Sequence, residues 1–191
     1  MKHMSPSIIL INGTSSAGKS SLARTFQALS NHQWVRLSID DCFRAFPAGA
    51  TLHTVPYERL RKVFYQNLAL WASEGFDLVI DTVFEEPACL EKTLKFLAPY
   101  QVWMVALHCP LEELERREQM RGNRPLGLAR SQFKTVHSYC DYDLELNSHT
   151  ASVEDNAMAI AAQLQQAPRI FNALCQDALS QNLVSGVRKA S

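Results

Sequence analysis

The sequence predicts an α/β fold in which a mostly parallel sheet is covered by helices on both faces. Apolar segments typical of strands alternate along the chain with segments whose apolar residues recur at helical spacing. Two predicted strands contain continuous apolar runs, at residues 78–80 and 102–107, as expected when both faces of a parallel sheet are buried. At 191 residues the chain is long enough for about one domain with a substantial core. These observations indicate a single three-layer domain.

The predicted elements follow one another along the chain in regular order. Strands are expected at residues 7–12, 34–39, 77–83, 102–109 and 142–146. Helices are expected at residues 19–29, 57–73, 87–97, 111–120, 129–138 and 153–164. Two segments, 45–56 and 121–127, interrupt this alternation because they are rich in proline, glycine or arginine.

The C-terminal part of the sequence continues at helical spacing from residue 168 and then becomes polar. We therefore divide the chain into a domain over 1–166 and a helical extension over 167–191. The extension is expected either to pack on the domain or to form an interface. Whether the protein is a homo-oligomer stays open at this point.

Composition excludes several classes of partner. Nineteen basic and nineteen acidic residues give a formal net charge of zero, so no overall field attracts nucleic acid or an acidic membrane. No apolar run approaches the ~20 residues that span a bilayer. We expect no signal peptide, because residues 1–4 lead straight into the first predicted strand. Five scattered cysteines indicate reduced thiols. We expect a cytoplasmic protein without a nucleic-acid or membrane partner.

The most specific motif has the spacing G-x-x-x-x-G-K-S and lies between the first predicted strand and the first predicted helix. This is a phosphate-binding P-loop in its proper setting, in which main-chain amides and the helix N-terminus point at a nucleotide's phosphates. Lys19 is expected to reach the β- and γ-phosphates, and the Ser20 hydroxyl to bind Mg²⁺. The expected nucleotide-binding residues are Gly13, Thr14, Ser15, Ser16, Ala17, Gly18, Lys19, Ser20 and Ser21.

Three acidic residues lie at or just after the carboxyl ends of predicted strands, where ligands bind in parallel sheets. Asp81 ends an apolar strand, and we expect it to hold the Mg²⁺ shell; the alternative is a helix cap or turn residue. Asp40 is the better candidate for the base that activates an acceptor hydroxyl, with Asp41 in reserve. For this pair the alternative is capping a short helix over 42–46.

The arginines after the fourth strand fall into two groups. Arg116 and Arg117 follow Glu112 and Glu113 by four residues, so surface ion pairs on a helix explain them. The segment over 121–127 carries Arg121 and Arg124 around Gly122 and Asn123. We expect these two arginines to belong to a small lid that closes over phosphates; the alternative is a solvated loop.

The histidines carry weaker signals. His137 and Cys140 lie three residues apart on the helix predicted over 129–138. Two such ligands without a third do not make a metal site. His108, at the end of a strand, is expected to be packed or hydrogen-bonded.

Several stretches together resemble the chloramphenicol phosphotransferase-like family of P-loop kinases. The likeness covers about residues 8–164. The most specific part is the arrangement R-G-x-R-x-x-G-x-A-x-x-Q, followed by V-H and Y-D. The residues that carry it are Ile8, Ile9, Leu10, Asn12, Gly13, the P-loop, Ile39, Asp40, 81–84, 121–124, Gly127, Ala129, Gln132, Val136, His137, Tyr142 and Asp143.

The resemblance implies a P-loop NTPase fold like that of nucleoside monophosphate kinases, with strand order 2-3-1-4-5. It further implies ATP- and Mg²⁺-dependent transfer of the γ-phosphoryl group to a hydroxyl of a small molecule. On this pattern Asp40 is the base, and Arg121 and Arg124 stabilise the transferring phosphoryl group. The sequence departs from the namesake enzyme at Thr82, where that enzyme has a second acid, and from residue 48 onward, so the acceptor is left open.

Two other functions remain as alternatives. One is a nucleotide or nucleotide-sugar kinase of the zeta-toxin type. The other is a nucleotide-gated binding protein that phosphorylates no acceptor. The choice between ATP and GTP is also open.

Overall fold

A computed structural model of the chain describes residues 5–51, 54–121 and 126–187. The described elements are five strands and eight helices that largely alternate, as predicted. In chain order they are β1 (Ser7–Asn12), α1 (Lys19–Leu29), β2 (Trp34–Ser38), α2 (Ile39–Arg44), α3 (Tyr57–Ser73), β3 (Asp77–Thr82), α4 (Pro87–Leu97), β4 (Gln101–His108), α5 (Leu111–Arg121), α6 (Leu128–Phe133), β5 (Leu144–Asn147), α7 (Val153–Gln163) and α8 (Ile170–Val187).

The five strands form one sheet in the order β2-β3-β1-β4-β5, and every neighbouring pair is parallel. The fold class and the strand order expected from the sequence are confirmed. The carboxyl ends of the central strands therefore meet at one edge, where a parallel sheet binds its ligands.

The sheet separates two hydrophobic cores because alternate side chains of β1 point to opposite faces. Ile8 and Leu10 pack with α3, α4 and the start of α8, whereas Ile9 and Ile11 pack with α1, α5 and α7. All four side chains are at most 1% exposed. Burial on both faces explains why β1 is a continuous apolar run.

Several predicted boundaries are wrong, among them those of β2, α2 and α6. β2 ends at Ser38, because the Ser38 side chain accepts from the Asp40 amide and caps α2 from residue 39. Neither Asp40 nor Asp41 is therefore the cap. α6 ends at Phe133, so His137 and Cys140 do not share a helix.

The C-terminal segment begins as a helix that is fixed to the sheet. The main-chain amides of Arg169 and Ile170 donate to Asp143 Oδ1 at 2.8 Å and 3.2 Å. Phe171 is completely buried in the core formed with α3 and α4. The first turn of α8 is thus attached to the domain, while the division of the chain at residue 166 stays a prediction.

Candidate active site

The turn between β1 and α1 is tight enough to present main-chain amides to an anion. Gly18 (φ 99°) and Ser16 (φ 66°) both adopt the left-handed conformation. Gly13 lies against the neighbouring strand, where an added Cβ would be only 2.5 Å from the Leu107 carbonyl oxygen. Helix α1 then begins at Lys19. The amides of the turn and the N-terminus of α1 thus form an anion-binding concavity.

The Lys19 ammonium is held inside this turn. Lys19 is 7% exposed, and Nζ donates to the carbonyl oxygens of Gly13 at 2.8 Å and Thr14 at 2.9 Å. Nζ also lies 3.9 Å from Oδ1 of Asp81, at the end of β3. Ser20 donates its hydroxyl to the other carboxylate oxygen of Asp81. The structure therefore brings the predicted lysine, hydroxyl and carboxylate together at one point.

The two acids in the first turn of α2 have different surroundings. Asp41 accepts hydrogen bonds from the guanidinium groups of Arg36 and Arg44. Two cations thus neutralise this carboxylate. Asp40 is partly buried, and its charge acts on the neighbouring helix α3 at Tyr57.

Side chains of α3 and of the loop after β3 lie near Asp40. Burial, and then the charges of Glu85 and Asp40, raise the pKa of Tyr57 to about 12. The Arg61 guanidinium carbon lies 6.0 Å from the centre of the Tyr57 ring, and Nη2 donates to Glu86 at 2.9 Å. We call helix α2, the start of α3 and the loop after β3 together the acceptor side.

The predicted lid arginines are only partly described. Arg121 is the exposed last residue of α5, and Arg124 lies outside the described residues. Arg116 pairs with Glu113, three residues before it, and not with Glu112 as predicted. Its surface role is otherwise as expected.

Arg117 does more than form the predicted surface pair. Nε donates to Glu113 at 2.7 Å, as expected from the spacing. Nη1 also donates to the Ala17 carbonyl oxygen at 3.3 Å and to Ser148 Oγ at 3.0 Å. Arg117 thus joins the P-loop to the segment after β5, a contact that the spacing of charges could not reveal.

A cavity of about 400 Å³ opens beside the P-loop, between α1, α5 and the start of α7. Its walls combine apolar side chains with hydroxyl, amide and guanidinium groups, as is typical of small-molecule sites. The lining includes Gly18, Leu22, Arg117, Met120, Ser148 and Asn156.

Asn12 had no predicted role, although the family resemblance includes it. Its fully buried side chain donates through Nδ2 to the Val136 carbonyl oxygen and to the Tyr142 hydroxyl, both at 2.7 Å. Its Oδ1 accepts from the Phe84 amide at 2.8 Å. Asn12 therefore holds three segments together around the end of β1. One of its hydrogen bonds is to the Val136 carbonyl, which lies just after the observed end of α6 at Phe133.

Gln132, also without a predicted role, contacts the P-loop directly. Its Oε1 accepts from the Ser15 amide at 2.8 Å, and its Nε2 donates to Glu85 Oε1 at 2.7 Å. Gln132 is 6% exposed. The last part of the family motif thus braces the phosphate-binding turn from α6.

The His137 ring is held in its neutral form. Burial, and then the charges of His108 and Lys19, lower the pKa of His137 to about 4. Its Nδ1 lies 3.0 Å from the Tyr142 hydroxyl. The His108 ring is 4.2 Å away, and His108 Nε2 lies 2.8 Å from Glu145 Oε2, so the expectation that His108 is hydrogen-bonded is confirmed.

Three features define a P-loop NTPase fold: the parallel sheet, the glycine-containing turn after β1, and Asp81 at the end of β3, the strand next to β1 in the sheet. A family model described as "Chloramphenicol phosphotransferase-like protein" matches residues 6–165. This chain belongs to that family, as the sequence analysis expected, and it is a phosphotransferase of the kinase type. In the part of the chain that the structure describes, no helix is both long and apolar enough to cross a membrane.

Comparison with individual proteins agrees with this assignment. Rv2636 of Mycobacterium tuberculosis, provisionally named an O-phosphotransferase, is 29% identical over 91% of this chain and 89% of its own length. The tunicamycin resistance protein of Deinococcus radiodurans has a TM-score of 0.63 at 17% identity, covering 87% of this chain and 99% of that structure. The M. tuberculosis APS kinase CysC, solved with AMPPNP and APS, has a TM-score of 0.60 at 19% identity, covering 84% and 98%. These structures are similar in fold.

Proposed function

We propose that this protein transfers the γ-phosphoryl group of ATP to a hydroxyl group of a small molecule, with Mg²⁺ as cofactor. The observation that carries the proposal is the hydrogen bond from Ser20 to Asp81 beside the buried Lys19 ammonium. A hydroxyl and a carboxylate are hard oxygen donors, which suit Mg²⁺. Ser20 and Asp81 would hold the ion, directly or through its water shell. When bound, Mg²⁺ neutralises charge that develops on the phosphates.

The nucleotide would lie across the P-loop with its two ends in different surroundings. The amides of the turn and of the first turn of α1 would bind the phosphates. The adjoining cavity, with Arg117, Ser148 and Asn156 in its walls, would take the base and ribose. Because Arg117 bonds both to the P-loop and to Ser148, the two ends of the nucleotide site are held in a fixed relation.

Asp40 would take the proton of the acceptor hydroxyl as the hydroxyl oxygen attacks the γ-phosphorus. The bond from the γ-phosphorus to the bridging oxygen breaks, and ADP leaves with the electron pair. Lys19, together with Arg121 and Arg124 of the lid, would stabilise the negative charge of the transition state. Asp40 is preferred to Asp41 as the base, because two guanidinium groups already neutralise Asp41.

The ion pairs on the acceptor side favour an acceptor that carries no phosphate group. Recognition of a phosphate on the acceptor would call for an arginine or lysine available to it. The arginines of β2, of α2 and of the inner face of α3 are instead paired with carboxylates of the protein. The pairs are Arg36–Asp41, Arg44–Asp41, Arg61–Glu58 and Arg61–Glu86. These pairings favour a hydroxyl compound over the nucleotide acceptor of the alternative kinase function.

We place this reaction in the cytoplasm. The five cysteines are free thiols, which is typical of proteins in a reducing compartment.

A metabolite screen for transfer of ³²P from [γ-³²P]ATP tests the proposal. Lys19→Ala protein is the blank, and exposed Lys134→Ala is the matched control for loss of a lysine. We expect a labelled hydroxyl compound with the wild-type and Lys134→Ala proteins and none with Lys19→Ala. Label that appears only in nucleotides would favour the alternative kinase function. Nucleotide binding with no labelled product from any extract would favour a nucleotide-gated binding protein.

A further inference from the structure

The Gln132 side chain lies between the P-loop and the loop after β3, and its orientation is determined by its two partners. The Ser15 main-chain N–H can only donate, and the Glu85 carboxylate can only accept. The amide of Gln132 must therefore direct Oε1 at Ser15 and Nε2 at Glu85, at 2.8 Å and 2.7 Å. Reversing the amide would place two donors face to face at the P-loop.

The N–H of Ser15 belongs to the same peptide unit as the carbonyl of Thr14. That carbonyl oxygen accepts from Lys19 Nζ at 2.9 Å and from the Ala17 amide at 3.2 Å. Because a peptide unit is planar, tilting its N–H also tilts its carbonyl. A change in the bond from Gln132 must therefore move the carbonyl that holds the Lys19 ammonium.

We propose that Gln132 is a positioning residue for Lys19, acting through the Thr14–Ser15 peptide unit. Glu85 determines that the oxygen of the Gln132 side-chain amide, and not its NH₂ group, faces Ser15. The inference rests on the proposed function in one respect, namely that Lys19 binds the phosphates of a nucleotide. It adds a link between the nucleotide site and the acceptor side, because the charge of Glu85 also acts on Tyr57. A change at exposed Glu85 that turns the Gln132 amide around therefore alters nucleotide affinity, whereas one that keeps an acceptor there does not.

Three variants test the polarity of this link. Gln132→Glu places two carboxylates face to face and removes the hydrogen bond to Glu85 that holds the side chain of residue 132 in line with Ser15. Glu85→Gln keeps an oxygen that accepts from Gln132. In the double variant the polarity between positions 132 and 85 is reversed: the new amide at 85 donates to the new carboxylate at 132, whose other oxygen still accepts from Ser15.

The measurement is the Kd of Mg²⁺·AMPPNP by titration calorimetry, with the thermal unfolding midpoint of each variant as the check on folding. We expect Gln132→Glu to raise the Kd about tenfold, the scale of one lost buried hydrogen bond. Glu85→Gln should bind like the wild type, and the double variant should recover most of the lost affinity. If Gln132 served stability alone, the thermal midpoints would change across these variants while the Kd stayed at the wild-type value.

Glu85→Lys provides a second approach that leaves the buried residue intact. Because Glu85 is exposed, this variant is expected to fold. The lysine ammonium attracts the oxygen of the Gln132 amide, which turns its NH₂ group toward the Ser15 N–H and weakens nucleotide binding about tenfold. The exposed control Glu91→Lys on α4 should leave the Kd unchanged.

Two results would overturn the inference. One is wild-type affinity in both Gln132→Glu and Glu85→Lys; the other is a double variant that binds as weakly as Gln132→Glu. If the wild-type protein itself binds no Mg²⁺·AMPPNP, the proposed function fails, and the inference fails with it.

Discussion

Residues 11–17, which lead into and form the P-loop, are all buried, whereas helix α2, which carries the candidate base, contributes no buried residue. The P-loop is braced by its own chain and by side chains from α5 and α6. On the acceptor side, Asp41 pairs with Arg36 and Arg44, which lie only five and three residues away in the sequence. The nucleotide side is thus a pre-organised anion site, and the acceptor side is more open to change.

This difference suggests how one phosphoryl-transfer site can serve different acceptors. Main-chain geometry determines the phosphate site, so most substitutions there would impair binding or folding. Side chains on a short, partly exposed helix and on the loop after β3 shape the acceptor side. Substitutions there should change which acceptor binds without disturbing the core.

The largest expected effect comes from Lys19 on the nucleotide side. Lys19→Ala removes the buried ammonium that would face the γ-phosphate, and we expect transfer of label to fall about a thousandfold. Initial rates of acceptor phosphorylation measure this. Exposed Lys134→Ala should keep the wild-type rate; a comparable loss in that control would mean that the effect is not specific to the site.

Two glycine substitutions, one in the P-loop and one between α2 and α3, compare how much the free energy of unfolding depends on each side of the site. In Gly13→Ala the new Cβ meets the Leu107 carbonyl oxygen at 2.5 Å, and we expect a loss of about 3 kcal/mol from overpacking. Gly49, in the segment between α2 and α3, also has a positive φ, of 91°, but no atom lies within 4 Å of its added Cβ. Gly49→Ala should therefore cost only about 1 kcal/mol, the backbone term alone.

Urea unfolding of the two glycine variants gives these free energies. Equal losses in both would show that the close approach to the Leu107 carbonyl is not what requires glycine at position 13.

On the acceptor side, exchange of one carboxylate should separate the two acids of α2. We expect Asp40→Asn to lower kcat about a hundredfold, because a positioned base is lost while shape is kept. Asp41→Asn should leave kcat nearly unchanged, because its partners Arg36 and Arg44 already neutralise Asp41. Steady-state kinetics with the identified acceptor decide this, and the opposite pattern would make Asp41 the base.

The last prediction is a dependence of stability on pH that arises from His137. Its folded-state pKa of about 4 lies below the ~6.5 of an unfolded histidine. The unfolded chain therefore binds more protons between these values, and the free energy of unfolding decreases as the pH falls through this window. We expect this site to contribute a loss of about 2 kcal/mol, discounted because the ring is partly exposed.

Urea unfolding at about pH 7 and about pH 4.5 measures this loss across the window. His137→Asn keeps an oxygen that can accept from Tyr142 but does not titrate in this range. Its free energy of unfolding should depend less steeply on pH than that of the wild type. An equal dependence in both proteins would assign the titration to another group.

The sequence predicted the fold well because its signals are local. Strand and helix alternation, together with the glycine-lysine-serine spacing, determines the backbone over short stretches, and α1 was predicted with its observed bounds, Lys19–Leu29. Two of the wrong boundaries lie where a side chain forms a hydrogen bond with a main-chain group. Ser38 starts α2 early by accepting the Asp40 amide, and Asn12 binds the Val136 carbonyl from 124 residues away.

The site was predicted in part for the same reason. Ser20 and Asp81 belong to motifs that can be recognised one strand at a time, and the structure brings them together. The roles of Gln132 and Arg117 depend on contacts with Ser15 and Ala17, 117 and 100 residues earlier in the chain. Spacing along the sequence carries no information about such contacts, although the family resemblance did include Gln132.

The central claim is that the P-loop, with Ser20 and Asp81, binds a nucleoside triphosphate together with Mg²⁺. Calorimetric titration of ATP into the wild-type and Asp81→Asn proteins, each with Mg²⁺ and with EDTA, tests it most directly. We predict saturable binding to the wild type that Mg²⁺ strengthens, and a much smaller strengthening in Asp81→Asn. No saturable heat from the wild type in either condition, and none with GTP, would contradict the account.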